Sequence, residues 1–126
     1  MTPTGVRPSC GDCHVSERLL PAMWDHFLGM KELVVHFATD VSKPGNYDEN
    51  CRTASANHVR LQMLANDSKN CRRCHVMKAI TPEHKHGQRL HAEAIENKTT
   101  CIVCHYNLVH KEVEPSEAFL KAIDSP

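Results

Sequence analysis

Aromatic residues are scarce in this chain: Trp, Tyr and Phe together make up 5% of 126 residues. With 40% hydrophobic residues, a domain of this length buries only a thin core of its own side chains. A surplus charge of either sign is also missing. Lys plus Arg and Asp plus Glu both number 15, and no basic face is clustered as nucleic-acid binding requires. A nucleic-acid partner is therefore not expected. No apolar run approaches the roughly 18 residues of a membrane span; the longest, around residues 33–38, is interrupted by His36. Residues 2–9 are too short and too polar for a secretory signal. Strand-like alternation of any length is absent, which leaves an all-α chain with extensive loops.

Cysteine and histidine are abundant, at 7 and 10 residues. Six of the cysteines fall in three pentads of one form: Cys10-Gly-Asp-Cys13-His14, Cys71-Arg-Arg-Cys74-His75 and Cys101-Ile-Val-Cys104-His105. This spacing is that of covalent attachment of a c-type haem. Two thiols reach the two vinyl groups on one porphyrin edge, and the adjacent His lies beneath the iron as its proximal ligand. A lone Cys-x-x-Cys would fit zinc or a redox disulfide equally well, but the His in fifth place recurs every time. Three covalent haem c groups are expected, with Cys10, Cys13, Cys71, Cys74, Cys101 and Cys104 as the linking thiols. His14, His75 and His105 are the proximal ligands. A ferric haem with two neutral ligands and two ionised propionates carries about −1, so a trihaem protein is mildly acidic. The charged runs 69–73 and 111–114 read as solvated faces or propionate partners.

The length predicts one trihaem domain over residues 1–126, with three or four helices. Below about 80 residues small scaffolds need staples, and in a chain only somewhat longer the haems are expected to form much of the core. Met23, Phe27, Met30 and Val34 set a helical stripe over residues 21–39, with Pro21 in the first turn. Asn46-Tyr-Asp-Glu49 has the form of a capping box opening a second helix to about Asn66. Thr81-Pro82-Glu83 caps a third, running to about Glu96. The tail after Pro115 reads as a short surface helix.

Seven histidines remain for the distal positions: His26, His36, His58, His84, His86, His91 and His110. A distal ligand must approach the face opposite the proximal one. His110, five residues beyond His105, is thus expected to serve a neighbouring haem, and Met77, two beyond His75, is disfavoured. His91 sits mid-helix on a face shared with His84, Gln88 and Ile95, and is likewise expected to serve a haem other than that of the pentad nearest in sequence. His84 and His86, beside Lys85, read as solvated. His58 shares a stripe with Cys51, Ala54 and Leu61 that is expected to be buried. His26 and His36 project about 80° apart on the first helix. His91, His110 and His58 are the first choices for distal metal ligands. Cys51, the odd thiol, reads as a small buried residue.

The stretch Thr4-Gly-Val-Arg-Pro-Ser-Cys-Gly-Asp-Cys-His14 resembles the second haem site of the NapC/NirT family of multihaem cytochromes. Ala65-Asn-Asp-Ser-Lys-Asn-Cys-Arg-Arg-Cys-His75 resembles the third, and Thr100-Cys-Ile-Val-Cys-His105, followed by His110, the fourth. Pro21-Ala-Met23, Met30-Lys-Glu-Leu33 and Leu90-His91 fit as well. The resemblance implies a periplasmic protein of a family whose members take electrons from membrane quinol and pass them to terminal reductases, with His91 and His110 as distal ligands. For this chain the expected partner is a reductase or a quinol-oxidising cytochrome, with association with a membrane complex left open. Members typically carry an N-terminal membrane anchor, a first haem pentad and a His just before the Gly-Val-Arg stretch, which this sequence does not contain. One haem is then expected to recruit His26, His36 or His58, to borrow a partner's ligand, or to stay open. Because haem c is attached outside the cytoplasm, an export signal is expected to precede the mature chain.

The sequence therefore predicts an electron-transfer protein rather than an enzyme, with a redox protein partner. Two alternatives stand beside it: a haem enzyme with one open iron reducing a small oxyanion or peroxide, and a haem-wire subunit of a larger complex.

Overall fold

Helix is the regular structure throughout residues 8–40, 43 and 51–124, the part of the chain that the computed structural model describes. The chain divides into two compact units, Met1–Ser42 and Lys43–Pro126.

In the first unit, α1 spans Cys10–His14 and is the first pentad itself. Asp12 Oδ2 accepts from the Ser9 backbone N–H at 2.6 Å and from the Ser9 hydroxyl at 2.8 Å. This capping box satisfies donors that a five-residue helix would otherwise leave to water. Helix α2 spans Leu19–Thr39, starting two residues before Pro21, which occupies the first turn where its missing N–H costs nothing. Asp40 closes it in the left-handed region at φ 48°. The Ser16 N–H donates to Asp25 at 2.9 Å, tying the segment after the first pentad to α2. The stripe expected from Met23, Phe27, Met30 and Val34 is present but uncovered by protein: the large apolar side chains of α2 are 46% to 77% exposed.

In the second unit, α3 spans Thr53–Ala65 and α4 spans Lys69–Arg72. A 3-10 turn at Met77–Ala79 precedes α5, Lys85–Glu96; a second at Cys101–Val103 precedes α6, Glu117–Asp124. The long helices match the expected segments, except that α5 begins three residues beyond Pro82. The 81–83 segment instead folds back over α5. The Gln88 side chain donates to the Pro82 carbonyl at 2.8 Å, and a Cβ at Gly87 would lie 3.0 Å from that of Pro82. Glycine permits this close approach. The capping box expected at 46–49 lies outside the described residues.

Helices α3 and α5 end alike. After α3, the Ser68 N–H reaches the Met63 carbonyl at 2.7 Å and the Asp67 N–H reaches that of Leu64 at 3.4 Å. After α5, Thr99 bonds Ala94 at 2.8 Å and Lys98 bonds Ile95 at 3.4 Å. Both are Schellman closures, with Asp67 (φ 55°) and Lys98 (φ 53°) in the left-handed position usually held by glycine. Each reverses the chain just before a pentad.

The apolar core is small. Among the described residues, Phe119 at 0% exposure and Ile102 at 7% are its buried hydrophobic members. Phe119 meets the Tyr106 ring edge-on at a centroid distance of 5.9 Å. Buried polar residues outnumber them: Asn57, Arg60 and Ser68.

Candidate haem sites

None of the pentad cysteines is in a disulfide, and each pentad presents its chemistry outward. Cys10, Cys74 and Cys104 are exposed, and Cys13, Cys71 and Cys101 half-buried. His14, His75 and His105 are exposed. In the second pentad, Arg72 grips Asp67 through Nη2 to Oδ1 at 2.8 Å and Nε to the backbone carbonyl at 2.9 Å. That hydrogen bond raises the Arg72 pKa above its ordinary value and locks the pentad to the closure of α3. Among the described residues no cluster of three or more His, Cys, Asp or Glu surrounds a common point, so within the second unit its two pentads do not converge as a zinc site would.

His91 and His105 face one another. Their ring centroids are 6.2 Å apart and their planes lie within 18°. Two imidazoles on opposite sides of one metal ion, each bonded at about 2 Å, place their ring centres roughly 6 Å apart. The observed spacing matches that value. His91 is half-buried, and its Nδ1 is a buried atom without a hydrogen-bond partner. It opens on a shallow groove lined by Met77, Ile80, Pro82, Gln88, Ala92 and Ile95. The sequence predicts another haem for His91; its ring neighbour in the structure is His105. The Lys98 reversal folds α5 back on the third pentad, the one nearest to His91 in sequence.

His110 is exposed in the loop that joins the third pentad to α6. Asn107 closes the neck of that loop: its Nδ2 donates to the Val113 carbonyl and its Oδ1 accepts the Val113 N–H, both at 3.3 Å. His58 is exposed rather than buried, with Gln62 Nε2 3.0 Å from its Nε2. The buried stripe of α3 runs instead through Asn57 and Arg60, because the C-terminal segment supplies those two with hydrogen-bond partners. His26 places Nδ1 2.7 Å from the Ala22 carbonyl. His84 caps α5, and His84 and His86 are exposed as expected. Cys51 is half-buried.

Sequence reasoning missed three residues that shape the third site. Ser68, fully buried, accepts from the Ile102 N–H at 3.0 Å and lies 2.8 Å from Thr100 Oγ1. Arg60 and Asn107 pin the segment from Asn107 to Glu114. None carries a local signal: apart from Asn57, three residues before Arg60, each side-chain partner is more than thirty positions away or lies within the loop.

The donor chemistry fits haem c: in each pentad two thiols outside any disulfide and one imidazole lie at the attachment spacing. Residues 1–115 match the NapC/NirT cytochrome c family, N-terminal region. The chain is 32% identical over 119 residues to the cytochrome c-type protein NapC of Escherichia coli (strain K12), covering 89% of this chain and 59% of that one. It is 33% identical over 108 residues to the cytochrome c-type protein TorY of Haemophilus influenzae, covering 84% and 29%. A probable tetraheme cytochrome c-type protein of Nitrosomonas europaea is 35% identical over 113 residues, covering 86% and 47%. The chain thus spans about three-fifths of the length of the curated NapC relatives or less. No solved structure gives a significant match.

Proposed function

This chain belongs to the NapC/NirT cytochrome c family, and on that basis we propose that residues 1–126 act as one trihaem electron-transfer domain. It works in the periplasm, receiving electrons from a quinol-oxidising cytochrome or membrane complex and passing them to a reductase. The single observation that carries this reading is the recurrence of the haem-attachment pentad at Cys10–His14, Cys71–His75 and Cys101–His105. Among the described residues no helix is long and apolar enough to cross a membrane.

When bound, haem c supplies one-electron exchange at its iron, with the potential set by ligand, burial and hydrogen bonding. The protein's part is to hold and orient it. Six thiolates of the pentads form the thioether links, and His14, His75 and His105 are the proximal ligands. His91 opposes His105, a pairing supported by the 6.2 Å ring spacing. His110, on its pinned loop, and His58 would be the further distal ligands. Irons so held would leave no coordination position for a substrate, which favours a carrier over a catalyst.

The test is transient reduction of the ferric holoprotein by a reduced quinol-oxidising cytochrome, followed by reoxidation with a terminal reductase. Rapid electron passage, slowed by salt as charged edges lose their steering, is the expected result. Steady turnover of nitrite, hydroxylamine or peroxide at a high-spin haem would replace the carrier with an enzyme.

A further inference from the structure

Arg60 is 3% exposed, yet none of its described partners is an acid. Nη1 donates to Asn57 Oδ1 at 2.9 Å and to the Glu114 carbonyl at 3.1 Å. Nη2 donates to Asn107 Oδ1 and to the Val113 carbonyl, both at 2.7 Å. Nε is buried without a partner, and the guanidinium carbon lies 5.2 Å from the centre of the Tyr106 ring. Buried charges are ordinarily paired with an opposite charge. Here four neutral oxygens solvate the cation and leave its charge uncancelled over Tyr106, the residue that follows His105 in sequence.

We propose that Arg60 is a positioning residue that sets a permanent positive charge beside the third pentad and thereby raises the reduction potential of the haem linked at Cys101 and Cys104. Reduction adds one electron and one unit of negative charge to that site, and a nearby uncancelled cation favours the reduced state. Burial strengthens the effect because little solvent screens it. The same four hydrogen bonds fix the segment that leads through His110 to α6, so charge and loop geometry are set by one side chain. The inference rests on the trihaem reading above.

The three midpoint potentials are read by spectroelectrochemical titration of the holoprotein, after intact mass has counted its haems. Arg60→Met removes the charge, Arg60→Lys keeps it, and Asn107→Asp cancels it with a near-isosteric carboxylate 2.7 Å from Nη2. Asn107→Asp and Arg60→Met are expected to lower the same single midpoint, by on the order of tenfold in the reduction equilibrium, about 59 mV for one electron. Arg60→Lys should lower it far less. The affected haem is assigned from its methyl NMR resonances through contacts to Ile102 and Tyr106. Asn107→Asp keeps the test decisive if Arg60→Met does not fold. Three haems with unmoved potentials in Asn107→Asp, or a fall in Arg60→Lys equal to that in Arg60→Met, would overturn this inference alone. Fewer than three haem additions would overturn the trihaem reading itself, and this inference with it.

Discussion

The Ser68 hydroxyl lies 2.8 Å from Thr100 Oγ1, a contact that joins the fully buried Ser68 before the second pentad to the half-buried Thr100 before the third. Ser68 stands three residues before Cys71, and Thr100 one before Cys101. The Ile102 N–H, also bonded to Ser68 Oγ at 3.0 Å, completes the joint. A hydroxyl serves here because its oxygen accepts the Ile102 N–H and also shares a hydrogen bond with Thr100 Oγ1, in which either hydroxyl can donate.

Ser68→Ala should therefore destabilise the holoprotein by about 1–3 kcal/mol, the usual cost of leaving a buried N–H unsatisfied. Denaturant unfolding followed at the haem bands measures it. Thr100→Val, which leaves the Ile102 bond intact, should cost less. An unfolding midpoint unchanged in Ser68→Ala would show the joint to be energetically idle.

His91→Ala and His110→Ala should each open one iron. The readout is a high-spin ferric fraction and a carbon monoxide difference spectrum equal to one haem in three. In His91→Ala, the opened haem should be the one carrying His105 as its remaining ligand. If both variants stay wholly low-spin, the distal assignment is wrong.

The pH dependence of the first unit follows from Asp25. The hydrogen bond from Ser16 holds its carboxyl below the ordinary value, with His26 adding a smaller electrostatic pull. A carboxylate with a depressed folded pKa stabilises above its unfolded value, near 3.9, and loses that contribution as pH falls through the lower folded value. Amide exchange at Ser16 should thus be protected at neutral pH and lose protection in acid below about pH 4. Asp25→Asn should flatten that dependence.

Much of this protein was legible in sequence because its chemistry is local. A haem-attachment pentad spans five consecutive residues, and the stripe from Met23 to Val34 repeats at helical steps. The polar interior was not legible. Arg60 reads as a solvated helix residue until Asn107, Val113 and Glu114 arrive from 47 to 54 positions away. For the same reason the buried stripe of α3 was sought at His58 and found at Asn57 and Arg60: apolar periodicity cannot register a face buried by hydrogen bonding. The start of α5 slipped from Pro82 to Lys85 because the Pro82 segment packs on Gly87, a contact that cap residues do not announce. The partner of His91 depended on the reversal at Lys98, a left-handed turn made without glycine.

The Arg60 clamp also sets an order of events as the chain reaches the compartment where haem is attached. A chain delivered N-terminus first presents α3 with its arginine before residues 107–116 arrive. Until then the guanidinium stays in water, and the loop that bears His110 has no anchor. The pentads ending at His14 and His75 precede that closure, whereas the one ending at His105 is followed almost at once by the segment that seals it. Assembly of the third site is consequently a late step, timed by the arrival of residues 107–116.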